Sequence, residues 1–466
     1  MIHHRPFAEL RGLYRRGELS PMDVTRSTLT HAERLGAATN AFALIDPQRA
    51  LTDAAASERR WRAGHPASDL DGMPITIKDF AAVAGWPTRR GSLTTNDAPA
   101  AESTIFVARL KDAGAVLLGK TRAPEFNWKG VTDSPGFGVT SNPWNPALTP
   151  GGSSGGCAAA VAGGVVRVSF GSDAGGSVRI PAAFCGVIGL KPTYGLIPMA
   201  PLPAHFSSTA HIGPLGASTA DVRDAMRIVG GRSPLDWTSG GDAARLADGA
   251  NDVMAPRIGL LAPQRWADAD PVMARAINHV LVQLRDGGFP ISEVDFDIHG
   301  ASAVGRKLYE IACREIVHCF SKPQLNLLDP GLVECARVTG DVDLSGYFEL
   351  MRARDQFGNA LAALFETIDV LLLPTLPIKP FPIGREVPPD WPEAGWLSWN
   401  PYTPAFNALK APALSFPVWP DADDMSVGVQ FVAPQFEDAR LLQLSAWLEQ
   451  RLPFRSSPLA PRGMPA

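Results

Sequence analysis

Two runs of small residues hold the reactive potential of this sequence. Gly151-Gly152-Ser153-Ser154-Gly155-Gly156 is followed, one element later, by Gly171-Ser172-Asp173-Ala174-Gly175-Gly176-Ser177-Val178-Arg179. Serine is a latent nucleophile, and glycines let backbone N–H groups turn toward a common point where an anion or an oxyanion can sit. Either run alone reads equally well as a plain loop. A serine also needs a base. None of the nine histidines sits in a catalytic motif. Lys78 closes the apolar stretch 74–77 and is followed by Asp79. Burial lowers a lysine pKa, and a neutral amine is a competent base. The plainer alternative is an ion pair between Lys78 and Asp79.

The elements between these residues decide whether they can meet. The stretch 154–162 is small and apolar, as a helix packed closely on a sheet requires, and 165–170 reads as a buried strand. About ten helical residues rise ~15 Å and about six strand residues return ~20 Å, so Ser153 and Ser177 are predicted at one edge of a sheet. Strands at 74–77, 115–118 and 369–373 alternate with helices at 103–113, 272–286, 302–320 and 437–452, a layered α/β pattern. Helices at 6–16, 20–35 and 50–63 precede it, the second opened by the capping sequence Ser20-Pro21-Met22-Asp23. Residues 377–404 are dense in proline and tryptophan and read as a long loop, plausible as a substrate lid.

Composition narrows the class. The 466 residues carry a net charge of −4, which gives no footprint for nucleic acid. No apolar run is long enough to span a membrane, and the polar start (His3, His4, Arg5) predicts no signal peptide. Five cysteines, an odd number without a C-x-x-C pair, speak against a disulfide scaffold or a zinc site and for a reducing, cytoplasmic setting. The 44 glycines and 42 prolines exceed ordinary usage and belong at turns and close backbone approaches. Neither glycine run fits a phosphate-binding loop, and no H-E-x-x-H occurs, so no cofactor and no metal are expected.

At this point the sequence resembles the amidase signature hydrolases, which use a Ser–Ser–Lys triad. The run 151–179 carries the resemblance, supported by 72–79, 114–121, 142–146, 191–195 and 428–430. It is strong over 70–225, weaker over 365–450, and absent from 231–365. It implies a single large α/β/α domain around a mixed, mostly parallel sheet. Residues 1–65 are then a helical segment packed on the core, and 66–452 the amidase domain. Within that domain 70–225 is the motif core, 231–365 a variable part and 366–452 the C-terminal part, followed by a tail at 453–466. The resemblance makes Ser177 the acyl-forming nucleophile, Ser153 the bridging serine on a cis peptide bond after Gly152, and Lys78 the base. It makes the N–H groups of Ala174, Gly175, Gly176 and Ser177 the oxyanion hole. Ser154, Asp173 and Arg179 become supporting residues, and Asn127 a substrate-lining one.

The activity this implies is hydrolysis of a small carboxylic amide, with no nucleic acid or membrane partner and with a homodimer possible. The segment after Met199 departs from the pattern of the tRNA-dependent amidotransferases, whose amidase-like component is the alternative reading, and this favours a free-standing amidase. A non-catalytic scaffold of the same fold is a further alternative. Gly151 to Gly155 also fits the G-x-S-x-G nucleophile elbow, with His279, His299 or His318 completing a triad, but that leaves Lys78 and the second run unexplained. The variable part and the 377–404 loop are expected to wall the pocket. Trp391, Trp396, Trp399, Tyr402 and Phe406 are either its aromatic lining or packed core.

Overall fold

The computed structural model describes residues 2–201, 204–246, 255–421, 425–452 and 454–455. The predicted tail at 453–466, apart from 454–455, and part of the segment after Met199 fall outside them. Thirteen strands occur in chain order: β1 (Phe42–Ile45), β2 (Pro74–Lys78), β3 (Val116–Thr121), β4 (Asp133–Ser134), β5 (Gly138–Val139), β6 (Val168–Asp173), β7 (Ile188–Lys191), β8 (His211–Gly216), β9 (Ile258–Leu261), β10 (Ile291–Val294), β11 (Val370–Pro374), β12 (Ala413–Val418) and β13 (Val427–Val432). Strands β4 and β5 form a small hairpin. The other eleven build one sheet in the order β1-β3-β2-β6-β8-β7-β12-β13-β11-β9-β10.

The sheet is mixed, as expected, within a single α/β domain. It is not mostly parallel. Parallel pairing joins β3-β2-β6 at one side and β11-β9-β10 at the other, while the pairings between them are antiparallel. For two of these pairs the reason is that β8 follows β7, and β13 follows β12, without the crossover helix that a parallel pair needs. The N-terminal segment is likewise not wholly helical, since β1 closes one edge against β3.

Alternation along the strands sends side chains to two covered faces. In β3, Leu117 joins the core that holds Ile75, Ile77, Val168 and Phe170, while Val116 and Leu118 face the opposite core with Cys157, Ala158 and Val161. Helices cover both. The helix Pro21–Thr39 starts at the predicted capping box, Ser20 and Asp23 each bonding the other's backbone N–H. The helix Gly155–Ala162 is buried at every position. A Cβ on Gly156 would lie 2.6 Å from backbone atoms of Ala41 and Arg122, so only glycine lets this helix approach so closely. The part without a sequence signature, 231–365, supplies β9 and β10 at the far edge and the helices Pro271–Asp286, Ile298–His318, Pro330–Thr339 and Leu344–Phe365.

Candidate active site

Parallel pairing of β2 with β6 sets Ile77 opposite Phe170, so Lys78 and Ser172 emerge together at the C-terminal ends of adjacent strands. Lys78 is fully buried and donates from Nζ to Ser153 Oγ at 2.7 Å and to Ser172 Oγ at 3.0 Å. Burial pushes its pKa down to about 7 from the ordinary lysine value, with Cys157 and Asp173 pulling partly back. The ammonium–carboxylate alternative is overturned. Asp79 pairs instead with Lys120, 3.2 Å away on β3. The Gly152–Ser153 peptide is cis. Ser153 sits beside Lys78 at the entry to the helix Gly155–Ala162. Ser154 N–H donates to the Ser177 carbonyl at 3.1 Å and its Oγ to the Ser172 carbonyl at 3.2 Å, which ties the two glycine-serine runs to each other.

The turn 174–177 is organised from below by one ion pair. Asp173 and Arg179 are both fully buried, with Nε to Oδ2 at 3.0 Å and Nη2 to Oδ1 at 2.9 Å. Burial alone would raise the Asp173 carboxyl, but the Arg179 charge outweighs it and holds the group well below the usual carboxylate range. Arg179 reaches on to Gln430 and Asn407, and Asn407 donates to Asp173. Asp173 Oδ1 also accepts the Gly176 N–H at 2.7 Å. This bond corrects the expectation that Gly176 is one of the oxyanion donors. Its N–H is consumed by the carboxylate, whereas the N–H groups of Ala174, Gly175 and Ser177 carry no acceptor among the described residues. The Gly175 carbonyl is held by Asn400 at 2.6 Å and Thr403 at 2.7 Å, which aims the peptide the other way.

Ser153, Ser172, Ala174 and Ser177 open onto a cavity of ≈ 430 Å³. Its wall is largely apolar and includes Phe80, Phe126, Met199, Phe206, Ile316 and Phe320. Asn127, the candidate substrate-lining residue, lies on this wall. Its Oδ1 is buried without a partner, and its carbonyl accepts from Tyr309 at 2.7 Å. The variable part contributes Leu235 to Thr238, Tyr309, Ile316, Cys319 and Phe320, as expected for that region.

The 377–404 loop does not wall the cavity. Trp396 and Trp399 are buried in the core behind the turn, in edge contact with each other, and Tyr402 and Phe406 belong to a separate apolar cluster around Leu371 and Val432. Trp391 packs beside that first core, bonding Ser398 through its indole N–H at 2.9 Å. Large rings in a proline-rich stretch bury more apolar area as a backing for a glycine turn than as a mobile cover. The histidine-based rival also fails. Among the described residues no histidine bonds to Ser153 or Ser177, and His279, His299 and His318 lie off the cavity wall.

Comparison with known proteins decides the family. The amidase family model matches residues 23–442. This chain belongs to the amidase family. A Thermus thermophilus relative, the A subunit of a glutamyl-tRNA(Gln) amidotransferase, is 34% identical over 469 residues, covering 95% of this chain and 96% of its own. A solved bacterial aryl acylamidase of the amidase signature family superposes with a TM-score of 0.88 at 26% identity, covering 100% of this chain and 99% of its own. The A subunit of the Thermotoga maritima glutamyl-tRNA(Gln) amidotransferase superposes with a TM-score of 0.76 at 25% identity, covering 95% and 94%. Like these amidase family members, this chain is an enzyme of carbon–nitrogen amide bonds. Among the described residues no helix is long and apolar enough to cross a membrane.

Sequence reasoning missed four residues of this amidase site. Ser172, the second acceptor of Lys78, stands in plain view inside the second run, but nothing in the run gives it a role. Gln430 lies in a matching segment, also without one. Asn400 and Asn407 have no local signal, because they reach the turn from 225 or more residues away through tertiary packing alone.

Proposed function

We propose that this enzyme hydrolyses a carboxylic amide through an acyl-Ser177 intermediate. The observation that supports it best is the 2.7 Å bond between Ser153 and a buried Lys78 poised to be neutral near pH 7. In this reading Ser177 Oγ attacks the amide carbonyl. Its proton passes to Ser153 Oγ as the Ser153 proton passes to Lys78 Nζ. The developing oxyanion is met by the Ala174, Gly175 and Ser177 N–H groups, three donors fixed before the reaction starts. Protonated Lys78 then returns a proton through Ser153 to the amine, which cannot leave as an anion, and the carbon–nitrogen bond breaks. Water attacks the acyl ester by the same relay and restores Ser177.

The apolar wall supports an acyl or amine part that is aromatic or aliphatic. A second reading has its own support in the 34% identical amidotransferase relative: the same cleavage could release ammonia from glutamine for use by a partner protein. Glutamine carries an α-carboxylate. Arg90 is the one guanidinium on the cavity wall among the described residues, and no acceptor engages its side chain there. The two readings part on a simple assay of the isolated chain, comparing kcat/KM for neutral aryl amides with that for glutamine, in wild type and Arg90→Met. A free-standing amidase turns over the neutral amides, and Arg90→Met leaves them unaffected. Ammonia release from glutamine alone, lost in Arg90→Met, would favour the amidotransferase role.

A further inference from the structure

Beyond the C-terminal end of the helix Gly155–Ala162, three histidines come together from two parts of the chain. His3 and His4 lie in the short turn Ile2–His4, and His31 lies in the helix Pro21–Thr39. One ring nitrogen from each lies within 4.8 Å of the others. His3 and His31 are buried, and His4 is partly exposed. Three imidazoles packed this way need either hydrogen-bond partners or a ligand that takes their lone pairs.

The hydrogen bonds present already orient the rings. His31 Nε2 lies 2.8 Å from the Gly163 carbonyl, which can only accept, so Nε2 carries the proton and Nδ1 presents a bare lone pair. His3 Nδ1 is bonded to Ser27 Oγ at 2.7 Å, leaving Nε2 as its free nitrogen. The atoms left over, His3 Nε2, His4 Nε2 and His31 Nδ1, are buried and have no partner. One nitrogen tied to a protein oxygen and the other left bare is the arrangement of a metal-ligating histidine. Room for His4 is made by Gly164, at φ +77°, where a Cβ would fall 1.7 Å from His4 Nε2.

We propose that His3, His4 and His31 bind one divalent transition-metal ion, Zn²⁺ being the natural choice for an all-imidazole set with a water in the fourth position. Bonds of ~2.0–2.1 Å place tetrahedral ligand atoms ~3.3 Å apart, so His4, the most exposed of the three rings, closes on the other two when the ion enters. The ion would clip the N-terminal turn to the helix Pro21–Thr39 and to Gly163–Gly164, at the far end of the helix that begins beside Ser153 and Ser154. It is a structural clip, independent of the amide chemistry.

The test uses the full chain without an affinity tag. Chelator-stripped protein is reloaded with Zn²⁺, desalted and measured for metal content. Co²⁺ loading is followed by visible absorption, and thermal unfolding is followed against Zn²⁺ concentration. The expected result is one equivalent of Zn²⁺ per chain, a tetrahedral Co²⁺ spectrum and an unfolding midpoint that rises with Zn²⁺. His4→Ala and His31→Gln should each lose the bound equivalent and the midpoint shift, and His4→Ala should keep wild-type amide turnover. Wild-type protein that retains no Zn²⁺ overturns the proposal without recourse to any variant, and so does a folded His3→Ala/His4→Ala protein that retains the full equivalent.

Discussion

A serine hydroxyl loses its proton too reluctantly to attack an amide unaided, so at the residue scale everything turns on Lys78. Its burial makes the neutral amine available near pH 7. With the neutral form as the proposed base, kcat/KM should be level above pH ~7 and fall about tenfold per pH unit below it. A profile flat from about pH 5 to about pH 9 would count against the lysine base. Lys78→Ala and Ser153→Ala should each lower kcat by roughly 10²–10⁴ with the fold retained, as expected when a proton relay is cut. Circular dichroism and the unfolding midpoint check the second half of that statement. Lys78, Ser153 and Ser177 could be singled out as candidates because the proposed chemistry calls for those residue types at that spacing. The Gly176 error was of another kind. A run of glycines shows that N–H groups can converge, but not which of them a neighbouring carboxylate will take.

At the scale of elements, the site depends on β2 and β6 ending side by side and on the buried Asp173–Arg179 pair beneath the turn. Removing one partner strands a charge in a dry interior. Arg179→Met should therefore lower stability by about 3–5 kcal/mol, read by urea unfolding, and lower activity with it. A loss under ~1 kcal/mol would mean that water reaches Asp173 in the variant. Gly176→Ala tests the turn directly. With φ at +120° and a Cβ 2.1 Å from Thr403 Oγ1, the change should displace the flanking N–H groups and reduce kcat far more than KM. Strands β2, β3, β6 and β11 were legible as short apolar runs, and several helices from period and capping. Strands β8 and β12 were not, since Pro214 and Pro417 interrupt their apolar runs and their partners are set by contacts distant in sequence.

At the scale of the whole molecule, one sheet of eleven strands holds Lys78 and the two serine runs together beside a single cavity, while the distant Asn400 and Asn407 bond the 173–175 backbone and the Asp173 carboxylate. The cavity wall was the least legible feature. It is drawn from Phe80, Phe126, Met199, Phe206 and the variable part, where no motif advertises itself, while Trp391, Trp396 and Trp399 went to packing. An apolar wall predicts that kcat/KM rises with the apolar area of the substrate's acyl or amine group, and that Phe206→Ala raises KM for the larger amides with little change in kcat. A panel of amides of graded size measures this. Equal kcat/KM across the panel would assign selectivity elsewhere.

In the proposed reaction the acyl group passes through Ser177. Rapid-quench intact-mass analysis during turnover of a slowly deacylated amide or aryl ester, followed by peptide mapping, reads it directly. The predicted result is a single acyl adduct on Ser177, absent from Ser177→Ala, whose turnover falls by about 10⁶-fold, as in other serine triads. An adduct on Ser153, or full turnover by a folded Ser177→Ala protein, would contradict it.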